Sequence, residues 1–168
     1  NNDNTAGWTL STAGLDLDFL AEGQTITLAY VVTATDDNGA SVTDTITATI
    51  TGTNEAPTVS TSAVDPSINE AADASAQALN ESGTITFADA EDTNLTITGA
   101  ASATVTAGSG VSVPSDLQTA LAAAFSVTDN NDNTAGWTLN DTDLDLDFLA
   151  AGQTITLAYV VTATDDNG

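Results

Sequence analysis

The sequence predicts an all-β chain of tandem antiparallel β-sandwich repeats, with one short helix in each repeat. Three observations carry this. Thr, Ala, Val and Ile dominate stretches in which apolar and polar residues alternate, a composition and period that fit strands. Asx and Gly residues punctuate these stretches at short spacing, as in sandwiches. Finally, a long segment occurs twice. Asn1-Asn2-Asp3-Asn4-Thr5-Ala6-Gly7-Trp8 recurs as Asn130-Asn131-Asp132-Asn133-Thr134-Ala135-Gly136-Trp137, an offset of 137 − 8 = 129 that holds without a gap from Asn1/Asn130 to Gly39/Gly168. Only Ser11/Asn140, Thr12/Asp141, Ala13/Thr142, Gly14/Asp143 and Glu22/Ala151 differ.

A period of 129 residues is too long for a solenoid unit and suits an independent domain. The boundary is expected at Thr53-Asn54-Glu55-Ala56-Pro57, where a strand pattern ends in a polar turn and a proline. Residues 1–53 are then the back part of one repeat, and 54–168 the next repeat without its last strand, an excerpt of a longer array.

The clearest element is a hairpin. Ile26, Leu28, Tyr30, Val32 and Ala34 alternate within Gln24–Thr35, and Val42, Ile46, Ala48 and Ile50 within Ala40–Thr51. Partners in a ladder share a face, so Asp36 must stand opposite Ala40, leaving Asp37-Asn38-Gly39 as the loop. Such a loop needs a left-handed residue, and Gly39, like Gly168, is placed to supply it. Asp44 then falls in the inward set opposite Val32. Further strands are expected at Thr58–Val64, Gly83–Phe87, Leu95–Gly99 and Ala103–Thr106. A helix is expected over Ser115–Phe125, with Ser115 as its N-cap after Pro114. Asp16 and Asp18, between Leu15, Leu17 and Phe19, read as the wet face of a strand, and Trp8 and Trp137 as core anchors.

Composition removes whole classes of chemistry. The chain of 168 residues has 24 acidic side chains and no Lys, Arg, His, Cys or Met. Disulfides, thiolates, imidazole bases, Schiff bases and Lys–Asn isopeptide bonds are therefore impossible. Ser has no base to activate it, and no Asp-Thr-Gly or Asp-Ser-Gly tripeptide occurs, so no enzyme is expected. A charge of −24 is the wrong footprint for nucleic acid. No apolar run is long enough to span a bilayer, and no signal peptide is visible. The 41% hydrophobic content opposes disorder.

With no cation of its own, the chain must recruit one from solution, and clustered carboxylates with Asn carbonyls suit Ca²⁺. Asp89, Glu91 and Asp92 crowd one strand end and are the leading candidates. Asp36 and Asp37, repeated as Asp165 and Asp166, are candidates that turn chemistry alone also explains. Asn54 and Glu55 sit at the expected junction, where a shared ion would stiffen a joint. Asp129 and Asp132 lie in an Asx-rich run that lacks the Gly and terminal Glu of an EF-hand loop, and reads first as an Asx-rich connection.

The run from Leu15-Asp16-Leu17-Asp18-Phe19-Leu20-Ala21-Glu22-Gly23-Gln24-Thr25 through Thr33-Ala34-Thr35-Asp36-Asp37-Asn38-Gly39 to Thr51-Gly52-Thr53-Asn54-Glu55-Ala56-Pro57 resembles the VCBS repeat of giant repetitive bacterial surface adhesins. Asn80-Glu81-Ser82-Gly83-Thr84-Ile85-Thr86-Phe87-Ala88-Asp89 resembles that family's front half. The resemblance implies a cadherin-like or immunoglobulin-like sandwich, secretion to the cell surface, and a part in adhesion or biofilm formation. The expected function is a structural extender stiffened by calcium, whose partners are neighbouring repeats of the same chain. The alternatives are a carbohydrate- or protein-binding module, and a filament subunit assembled by strand exchange with another copy. In the last case the edge of Gln153–Thr164 would take a strand like Ala40–Thr51.

Overall fold

The computed structural model describes residues 4–61, 65–99 and 104–167. Ser62–Val64, Ala103 and the Gly168 turn position, all covered by the expectations above, lie outside them. The chain forms two compact units, Asn1–Asn54 and Glu55–Gly168.

In the first unit β1 (Thr25–Thr35) and β2 (Ser41–Thr51) form an antiparallel ribbon, with Thr25 opposite Thr51 and Thr35 opposite Ser41. The Asp36 N–H donates to the Ala40 carbonyl at 2.9 Å, the pairing that the alternation requires. Asp36 Oδ1 accepts the N–H groups of Asn38 and Ala40, both at 2.9 Å, and Gly39 has φ +89°. The loop is thus closed by its own carboxylate and a left-handed glycine. Asp44 does pair with Val32; it is exposed, and nothing in the structure explains a carboxylate there. Asp16–Phe19 is not a strand. Asp16 Oδ1 accepts the Asp18 N–H at 3.3 Å and the segment runs through turns, because a carboxylate can satisfy a backbone donor two residues on.

The second unit holds a four-stranded antiparallel sheet in the order β3 (Thr58–Thr61), β4 (Gln77–Ala88), β8 (Thr134–Leu144), β7 (Phe125–Asp129). Two short antiparallel pairs accompany it: β5 (Thr96–Gly99) with β10 (Val161–Thr164), and β6 (Thr104–Ala107) with β9 (Ile155–Ala158). The expected strand Gln153–Thr164 is therefore broken at Tyr159-Val160, where the chain changes partner from β6 to β5. The expected strand Gly83–Phe87 extends back to Gln77, since β8 runs beside it for eleven residues.

One core joins both sets of strands. Leu79, Ile85 and Phe87 of β4 and Ala135, Trp137 and Leu139 of β8 are buried with Leu95 and Ile97, while Ile155, Leu157, Tyr159, Val161 and Ala163 pack against them. The helix α1 (Ser115–Ala124) closes this core with Leu117, Leu121 and Ala124, one stripe at helical spacing. Its N-cap is Pro114, with no side-chain cap bond; Ser115 instead occupies the first helical turn, and the Pro114 carbonyl accepts the Gln118 N–H at 3.0 Å. The helix stops at Ala124 because Phe125 turns extended to begin β7. Phe125 stacks between Trp137, with centroids 6.3 Å apart, and Tyr159, at 4.2 Å. Gly83 is needed under Trp137, since a Cβ there would lie 2.7–2.8 Å from the indole.

Candidate functional site

The acidic loop that follows β4 is organised by its own carboxylates. Asp89 Oδ1 accepts the N–H groups of Glu91 at 3.0 Å and Asp92 at 2.9 Å, and Asp92 Oδ1 accepts that of Asn94 at 2.8 Å. Glu91 Oε1 reaches the backbone N–H of Glu55 at 2.8 Å, tying the loop to the segment that leads into β3. One oxygen of each loop carboxylate is thereby used to fold the backbone. The other oxygens, Asp89 Oδ2, Glu91 Oε2 and Asp92 Oδ2, are buried with no hydrogen-bond donor, and Glu55 Oε2 is buried as well.

That arrangement strains the electrostatics. The Glu55 N–H pulls the Glu91 carboxyl down, but desolvation and the neighbouring Asp89 and Glu55 side chains push it up harder, so Glu91 titrates above its ordinary range. A buried carboxylate oxygen without a donor is costly, and the chain has no Lys, Arg or His to offset it. Among the described residues no three acidic side chains are already gathered at metal-ligating spacing. The chemistry of the donor set nonetheless suits a hard divalent cation: carboxylate oxygens shut from solvent. Asp89, Glu91, Asp92 and Glu55 are the residues that would hold one.

The other candidates are placed differently. Asp129 ends β7, where Oδ2 accepts the Ile97 N–H at 3.0 Å and Oδ1 that of Asn131 at 2.8 Å. These two bonds hold its carboxyl below the usual range. Asp132 Oδ1 accepts both the N–H and the hydroxyl of Thr134, at 3.1 and 2.6 Å. Both acids thus serve the β7–β8 turn. Asp36 and Asp37 lie in the β1–β2 loop, and Asp165, whose Oδ1 accepts the Asn167 N–H at 2.9 Å, lies with Asp166 in the matching turn of the second unit. Asn54 ends the first unit and is exposed.

Two residues outside the candidate set make further long-range bonds, Asn133 at the acidic end and Asp147 beyond the opposite end of β4 and β8. Asn133, at φ +61°, bonds the Leu95 N–H through Oδ1 at 2.8 Å and the Asp92 carbonyl through Nδ2 at 3.0 Å. Its own carbonyl accepts the Phe87 N–H at 2.8 Å. The recurrence of Asn4 at the same repeat position, also at positive φ, was the available signal. Asp147, whose repeat equivalent is Asp18, accepts the Ala74 N–H at 2.6 Å.

Among the described residues no helix is long and apolar enough to cross a membrane. A scan against protein-family models, a search of curated proteins and a search of solved structures each found no match to this chain.

Proposed function

We propose that this chain is part of a structural extender: sandwich repeats in tandem that hold a distal element away from a cell surface, stiffened by calcium. The strand order of the second unit supports the reading most. In an immunoglobulin constant-type sandwich one sheet runs A-B-E-D and the other C-F-G. Taken in chain order, β3, β4, β8 and β7 fall on A, B, E and D, β5 and β6 on C, and β9 and β10 on F. Calcium would neutralise the acidic end built by Glu55, Asp89, Glu91 and Asp92. The near-exact recurrence of residues 1–39 as 130–168 suits a mechanical role.

A sugar-binding module is the second reading, favoured by the exposed Trp8, Phe19 and Tyr30 of the first unit. It is the weaker one. Trp137 and Tyr159, the repeat equivalents of Trp8 and Tyr30, belong to the aromatic stack in the core.

Strands of eleven or twelve residues span roughly 40 Å. Small-angle scattering on arrays of two, three and four complete repeats in calcium should show the maximum dimension growing by about 40 Å per repeat. A dimension that grows no faster than that of a flexible string would refute the extender reading.

A further inference from the structure

The β1–β2 ribbon separates its side chains by face. The even positions of both strands carry the apolar set that begins with Ile26 and Ile50, with Asp44 among it. The odd positions form a face of hydroxyls in register. Thr25 stands opposite Thr51, Thr27 opposite Thr49, Thr33 opposite Thr43 and Thr35 opposite Ser41. Thr45 and Thr47 continue the β2 row beside Val31 and Ala29. Every residue of this face is exposed, and none is charged in a chain that carries 24 carboxylates. The face stays outward when the other is covered. In the second unit Ile155, Leu157, Val161 and Ala163 pack on the core, and Thr156, Thr162 and Thr164, the repeat equivalents of Thr27, Thr33 and Thr35, remain exposed.

The register also sets the spacing. The Gln24 carbonyl accepts the Gly52 N–H and the Asp36 N–H donates to the Ala40 carbonyl, both at 2.9 Å, so the even positions are the hydrogen-bonded pairs. The hydroxyl-bearing odd positions are then the non-hydrogen-bonded pairs, whose Cα atoms come within about 4.5 Å. Along one strand, successive residues of the face are about 6.8 Å apart.

We propose that this face binds ice, its two ranks of hydroxyls taking the places of water oxygens on the prism face of a growing crystal. Water oxygens bonded tetrahedrally at about 2.75 Å put second neighbours about 4.5 Å apart and repeat the layers about every 7.3 Å. The first distance matches the spacing across the ribbon, and the second exceeds the spacing along a strand by about half an ångström. A hydroxyl donates and accepts, as lattice water does, and the threonine methyl beside it gains by leaving liquid water. A carboxylate would only accept and would hold a charged hydration shell against a neutral lattice. Threonine is also stiff at its first side-chain torsion, so little freedom is lost when its hydroxyl is fixed. The inference goes beyond the extender reading and needs no calcium.

The test is partition of the full chain into ice grown slowly from stirred solution in chelator, with tryptophan fluorescence measuring the chain in ice and in liquid. The unmodified chain should enter the ice. Thr47→Tyr and Thr33→Tyr, each raising a ring above the face, should fall to the level of an excluded solute. Thr84→Tyr, exposed on the outer face of the four-stranded sheet opposite Gly136, should enter as the unmodified chain does. Tyrosine suits strands, so all three variants should keep the far-UV circular dichroism of the parent. Exclusion of the unmodified chain from ice overturns the proposal. Uptake that survives both Thr47→Tyr and Thr33→Tyr, or that Thr84→Tyr lowers equally, overturns it as well.

Discussion

Single residues in this chain fold the backbone before they do anything else. Gly39 at φ +89° sits in a region that costs an L-residue roughly 1–2 kcal/mol, and more for a β-branched one. Gly39→Val should destabilise the β1–β2 ribbon by at least about that amount, read as faster amide exchange along Ser41–Thr51. Gly83→Ala should disturb the core differently, by driving a methyl group into the Trp137 indole, which it would meet at 2.7–2.8 Å. Its signature is a red shift and easier quenching of the Trp137 emission, with the first unit unaffected. Asp129 makes a prediction in pH. Its carboxyl is lowered by the Ile97 and Asn131 N–H bonds, so it binds protons less readily folded than unfolded. Its contribution is present above the ordinary value of 3.8 and is lost as pH falls through the lower folded value. Asp129→Asn should weaken the second unit at neutral pH and flatten this acid limb. An unchanged stability profile below pH 3.8 would show that the two bonds add nothing.

At the scale of elements, the same sequence takes two forms according to its neighbours. Thr5–Leu10 is irregular and leaves Trp8 60% exposed, whereas Thr134–Leu139 is central strand with Trp137 7% exposed. β4 and β7 flank Thr134–Leu139, whereas no strand among the described residues flanks Thr5–Leu10. Two populations of tryptophan should therefore appear in quenching, and Trp8→Phe should remove the accessible one with little change in stability. The hairpin was legible because its alternation, turn residues and parity all constrain one register. In the four-stranded sheet β3 and the end of β4 were legible, and β7 and β8 were not. Phe125–Asp129 is short and follows a helix without a break, while Thr134–Leu144 alternates at Ala135, Trp137 and Leu139 but carries Gly136 and runs on into the polar Asn140–Asp143. The break at Tyr159-Val160 was equally hidden, since it arises from a change of partner and not from any turn residue. Of the candidate site, the carboxylates Asp89, Glu91 and Asp92 could be read from their crowding, and Glu55 from its place at the boundary. The meeting of Glu55 with Glu91 is a contact across 36 positions that no local pattern reports.

For the whole molecule, charge is the governing quantity. A chain at −24 without one basic residue repels itself, and the buried oxygens of Asp89, Glu91 and Asp92 concentrate that repulsion at one end of the second unit. Calcium at 100 times its dissociation constant would add about 2.7 kcal/mol at such a site, equivalent to about 10 °C in a domain of this size. The proton is a poorer substitute: with Glu91 raised, the cation-free fold binds it more readily than the unfolded chain does, so stability in chelator should fall as pH rises through the Glu91 range. Removing the charge should have opposite effects in the two conditions. Glu91→Gln relieves the repulsion in chelator and removes a ligand in calcium, so the gap between the two melting temperatures should narrow from both sides. The decisive measurement is the thermal unfolding of the second unit, followed by Trp137 fluorescence in the Trp8→Phe chain, in millimolar calcium and in chelator. A melting temperature about 10 °C higher in calcium, reduced by Glu91→Gln, is the predicted result; the same melting temperature in both would contradict the calcium-stiffened extender.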